Sequence, residues 1–73
     1  MVYIMHDQIT GDLANVETID QVVDTLREWF AHAPADYRDM IEYSINLIGV
    51  KMQRGDSITA DANALAVEIE VES

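Results

Sequence analysis

Leu65-Ala66-Val67-Glu68-Ile69-Glu70-Val71-Glu72, close to the C-terminus, is the stretch on which the fold turns. Read with the residues before it, it carries two periods at once. Ile58, Ala62, Leu65, Ala66 and Ile69 recur at helical spacing, whereas Leu65, Val67, Ile69 and Val71 alternate with Ala66, Glu68, Glu70 and Glu72 as on a strand. A helix here makes the chain a three-helix bundle with a short N-terminal strand. A strand makes it an α+β domain. The β-branched residues at 67, 69 and 71 suit a pleated surface, so the pattern predicts a strand from about Ala64 to Glu72.

Such a strand needs a partner, and the N-terminus supplies one. Val2 to Met5 is a short apolar run with β-branched and aromatic members. It is followed by Asp7-Gln8-Ile9-Thr10-Gly11-Asp12, where Asp7 can accept from backbone amides two residues on and Gly11 can take a positive φ. Leu13 to Val16 then reads as the returning strand of a hairpin.

Two helices lie between. Thr18 and Gln21 form a capping box, and Ile19, Val22, Val23, Leu26, Phe30 and Ala33 follow at the spacing of one helical face. Pro34 is the expected end, because the residue before a proline is pushed out of the α region. The second helix is expected from about Asp36 to Arg54. Asp36 and Asp39 suit its positive N-terminus, Lys51 and Arg54 its negative C-terminus, and Gly55 the position just beyond. Its apolar stripe, Tyr37, Met40, Ile41, Ser44, Ile45, Leu47, Ile48 and Met52, is wider than one neighbour requires. That width predicts packing against the first helix and also against a sheet or a second subunit. Gly49, inside the helix, is expected to permit a close crossing. The predicted architecture is β-(β)-α-α-β: one small domain with an antiparallel sheet of two or three strands packed on two helices.

Composition bounds the function. Fourteen acidic residues against four basic ones give a formal charge of −10, spread from Asp7 to Glu72 and not gathered in a tail. Such a charge repels nucleic acid and anionic lipid and destabilises the compact state. A basic partner, a salty cytoplasm or solubility alone would account for it. There is no cysteine, which removes disulfides and thiolate metal sites and favours a reducing cytoplasm over the extracellular space. No apolar run approaches the roughly 20 residues that span a bilayer.

Little in the chain points to catalysis. His6, Asp7 and Asp12 are too few and too irregularly spaced for a hard-cation site, and turn formation explains them. His32 and Asp36 flank Pro34 with no nucleophile implied. A glycosidase or nuclease needs its carboxylates around a concave site, and here they fall on faces expected to be convex. The expectation is therefore no enzyme activity, no cofactor and no metal.

The carboxylates do form rows. Asp20, Asp24 and Glu28 recur every four residues, about 6 Å apart along a helix, with Arg27 the one cation placed to relieve them. Glu68, Glu70 and Glu72 share a strand face at spacings of about 6.5–7 Å. Asp36 and Asp39, with Glu42, follow the second helix. Rows at this repeat can imitate phosphates in a basic groove. They can equally form a solvated face, with glutamates on an edge strand blocking aggregation. Trp29, Met40 and Leu47 are the candidate apolar interface residues, although Trp29 can instead pack on the core.

No motif points to one family. In size, charge and compactness alone, the chain resembles the inhibitors that phages and other mobile elements direct against host defence or transcription machinery. These include anti-CRISPR and anti-restriction proteins, some of which mimic nucleic acid. The resemblance implies a non-enzymatic inhibitor or regulator that docks on the basic surface of a nucleic-acid-handling protein, with no direct contact to nucleic acid or membrane. The alternative is a homodimeric adaptor that uses the apolar face of the second helix.

Overall fold

The computed structural model describes residues 1–72. In chain order it holds β1 (Val2–Asp7), β2 (Leu13–Val16), α1 (Ile19–Trp29), α2 (Ala35–Arg54), α3 (Thr59–Ala64) and β3 (Val67–Glu72). The sheet is antiparallel with order β2-β1-β3, so the two ends of the chain pair and β1 is central. This is the α+β architecture read from the sequence, and the three-helix bundle is excluded.

The strand alternation sorts the sheet into two faces. Tyr3 lies opposite Val16 and Val71, Met5 opposite Ala14 and Ile69, and Asp7 opposite Val67. These residues face the helices. Ile4 lies opposite Asn15 and Glu70, His6 opposite Leu13 and Glu68, and Val2 opposite Glu72. These face outward. The core is Tyr3, Met5 and Val67 from the sheet, Val22 and Leu26 from α1, Ile45 and Ile48 from α2, and Leu65.

The turn after β1 is held as its residue types dictate. Asp7 is buried; its Oδ1 accepts from the amides of Ile9 (2.9 Å) and Thr10 (3.2 Å), and Gly11 has φ +83°. The α1 cap is reciprocal. Thr18 Oγ1 accepts from the Gln21 amide at 3.1 Å, and Gln21 Oε1 accepts from the amides of Thr18 (3.1 Å) and Glu17 (2.8 Å). At the crossing of α1 and α2, a Cβ on Gly49 would meet Val23 Cγ2 at 3.0 Å. The glycine allows the close approach that its place in the helix implied.

Three expectations need correction. α1 ends at Trp29, five residues before Pro34: the Phe30 amide still bonds back to Leu26, but Ala31 to Ala33 form tighter turns. Phe30 keeps its place against the core and Ala33 is half-buried, while His32 lies beyond the helix. The C-terminal strand begins at Val67, not Ala64, because residues 59–64 form α3. Both periods in that stretch are real and occur in succession. Ala66, with φ +54°, is the switch between them.

The third correction concerns the broad stripe of α2, which is two faces. Ser44, Ile45, Ile48 and Gly49 are buried, with Ile41 and Met52 half-buried beside them. Tyr37 overhangs the end of the core and is exposed. Met40 (58% exposed) and Leu47 (half-buried) belong to the opposite side of the helix, together with Tyr43 (66%) and Val50 (45%).

Candidate functional site

Asp20, Asp24 and Glu28 are all exposed. At 100° per residue they lie on the side of α1 opposite Val22 and Leu26, so the row points straight to solvent. Arg27 does not relieve it. Its guanidinium reaches across to α2, donating from Nε to Glu42 Oε1 (3.3 Å) and from a terminal nitrogen to Asn46 Oδ1 (3.1 Å), with a 3.2 Å ion pair to Glu42. Position 27 lies on the flank of α1 that meets α2, which explains the choice of partner.

Two of the other three cations are similarly committed. Lys51 Nζ donates to Asp61 Oδ2 at 2.7 Å and ties α3 to α2. Arg38 Nε donates to the Ala33 carbonyl at 3.2 Å and holds the turn after α1. Among the described residues, Glu42 and Asp61 alone of the fourteen acidic side chains have a cation within 4.0 Å.

Glu68, Glu70 and Glu72 stand on the outward face of β3, which is an edge strand. Their neighbours on β1 are His6, Ile4 and Val2, and Gln8 Nε2 donates to Glu68 Oε1 at 2.9 Å. Asp36 and Asp39 are exposed in the first turns of α2. The structure therefore places the rows in different layers. The α1 row faces away from the sheet, and the β3 row faces away from the helices, so one flat partner cannot cover both.

The remaining candidates are also located. Trp29 is half-buried and packs against the core cluster, which leaves Met40 and Leu47 as the outward-facing pair. His6 and Asp7 occupy opposite faces of β1, so the turn does not gather His6, Asp7 and Asp12 into one set. A surface groove of about 360 Å³ beside the turn after α1 contains Arg38, Asp39 and Glu42, but its two acids are i, i+3 neighbours on one helix and do not face each other across it. Among the described residues, no helix is long and apolar enough to cross a membrane.

Tyr43 and Val50 were missed in the sequence reading. The signal was present in their spacing from Met40 and Leu47, but assigning Met40 and Leu47 to one stripe with Ile41, Ile45, Ile48 and Met52 concealed it. No family model, curated protein or solved structure matches this chain.

Proposed function

We propose that this chain is a small non-enzymatic binding protein that docks through an acidic row on the basic surface of a nucleic-acid-handling protein, acting there as an inhibitor or regulator of the kind phages make against host defence. The observation that carries this reading is the unrelieved Asp20-Asp24-Glu28 row. Three like charges at i, i+4 spacing weaken an isolated helix, and the nearby arginine serves a different contact. A partner bringing cations to this face would relieve the repulsion within the row and gain a fast, steered encounter.

The row is a dilute likeness of a nucleic acid strand. Its repeat of about 6 Å compares with one charge per about 3.4 Å of axis on a DNA strand. Docking by complementary charge is thus better supported than faithful mimicry. The reading invokes no reaction, cofactor or metal: the buried carboxylate, Asp7, serves the hairpin turn.

The test is affinity capture from a host lysate at low and high salt, followed by identification of the bound proteins and competition with DNA. The expected partner is basic, is lost at high salt and is displaced by excess DNA. Replacing Asp20, Asp24 and Glu28 together with Lys abolishes capture without unfolding the domain, while the same change at Glu68, Glu70 and Glu72 reports on the sheet face. A partner retained equally by both triple variants, or at high salt, overturns the reading.

A further inference from the structure

The outer face of α2 has a regular seam. Asp36, Met40, Tyr43, Leu47, Val50 and Arg54 are separated by four, three, four, three and four residues, which is the a/d spacing of a coiled coil. The seam lies opposite Ile45, the centre of the buried face, and it is not covered by any other element of the fold. Met40, Tyr43 and Val50 are exposed and Leu47 is half-buried. From end to end it is about 27 Å long.

The seam has polarity and symmetry. One end is acidic, the other basic, and Arg54 is the one basic side chain with no hydrogen bond or ion pair among the described residues. The positions are mirrored about residue 45. We infer that the chain forms a two-fold dimer through antiparallel pairing of α2 with α2 of a second copy. Met40 then packs on the partner's Val50, Tyr43 on the partner's Leu47, and Asp36 meets the partner's Arg54. A parallel pair would set Asp36 against Asp36 of the partner subunit and Arg54 against Arg54 of the partner subunit. Charge complementarity therefore selects both the occupant and its direction. A chain of charge −10 repels its own copies elsewhere on its surface, but along this seam the ends attract. The inference is independent of the docking reading, which uses α1 or β3.

Sedimentation equilibrium and cysteine cross-linking test it. The apparent mass should rise with concentration from 8.2 kDa towards twice that value, and more readily at higher salt, because screening relieves the net repulsion. Docking on a basic partner has the opposite salt dependence, so the two readings fail separately. Tyr43→Glu, at an exposed position, should leave the unfolding transition cooperative and hold the chain monomeric. The chain has no cysteine of its own, so engineered thiols report geometry cleanly. A mixture of Met40→Cys and Val50→Cys proteins should form the mixed disulfide. Met40→Cys alone should cross-link at least tenfold more slowly, because antiparallel pairing puts the two copies of that residue about 15 Å apart along the seam, beyond disulfide reach. A mass of 8.2 kDa at every concentration, or self-cross-linking of Met40→Cys as fast as the mixture, overturns the inference.

Discussion

Two single residues set the close geometry of the domain. Ala66 stands at φ +54° between α3 and β3, and its carbonyl accepts from the Gln8 amide at 3.0 Å, so the conformation is locked by the pairing of the chain ends. A left-handed backbone costs an L-residue about 1–2 kcal/mol, and glycine's extra unfolded-state freedom offsets about 0.4–1 kcal/mol of the gain, so Ala66→Gly should stabilise by roughly 0.5–1 kcal/mol. Urea unfolding measures this, and a lower midpoint would show that the Ala66 methyl matters more than its backbone. Gly49 presents the reverse case. Alanine is better than glycine in a helix by about 1 kcal/mol, yet the new methyl would sit 3.0 Å from Val23 Cγ2. A valine in a helix has one strongly preferred rotamer and cannot swing away, and overpacking costs about 1–3 kcal/mol. Gly49→Ala should therefore destabilise the parent protein but stabilise a Val23→Ala background. The same sign in both backgrounds would remove the contact as the reason for the glycine.

At the scale of elements, β3 is buried at one end only. Val67 is fully buried, whereas Val71, on the same face, is 58% exposed. Removing two buried methyl groups costs about 2 kcal/mol once the residual cavity is included, so Val67→Ala should lower stability by about that amount, and Val71→Ala should stay within about 0.5 kcal/mol of the parent. Equal losses at both positions would mean that the strand is not seated as described. Legibility of the elements followed the locality of their causes. The capping box, the Asp7 turn and the Gly55 terminus depend on neighbours within a few residues, and each forms as its residue types imply. The end of α1 does not follow from Pro34, because the chain tightens into turns from Ala31 onward. Residues 58–66 were harder still, since a six-residue helix leaves barely more than one period to detect, and its end rests on an alanine in a conformation that sequence rules reserve for glycine. Of the acidic rows, position and exposure could be read from periodicity. The commitment of Arg27 to α2 could not, because it depends on how two helices cross.

For the whole molecule, the balance of charge governs how stability responds to salt. Two ion pairs, Arg27 with Glu42 and Lys51 with Asp61, favour the folded state. The first is half-exposed, a class worth about 0–1 kcal/mol, and the second is partly buried and less readily screened. Opposing them are the carboxylates that folding holds near one another without cations. Between about 0.01 M and 0.15 M salt the Debye length shrinks from about 30 Å to about 8 Å, so repulsion across the domain is screened while the short ion pairs largely survive. Tm should therefore rise over this range. Adding salt strengthens self-association as well, so the measurement belongs in the Tyr43→Glu variant, where the seam is blocked. Replacing Asp20, Asp24 and Glu28 with Lys adds two charges at each position and takes the formal charge from −10 to −4, so the same experiment on that triple variant should give a shallower rise. A Tm that falls with salt in the monomeric variant would mean that the two ion pairs outweigh the net repulsion. A slope unchanged by the triple replacement would place the repulsion somewhere other than the exposed face of α1.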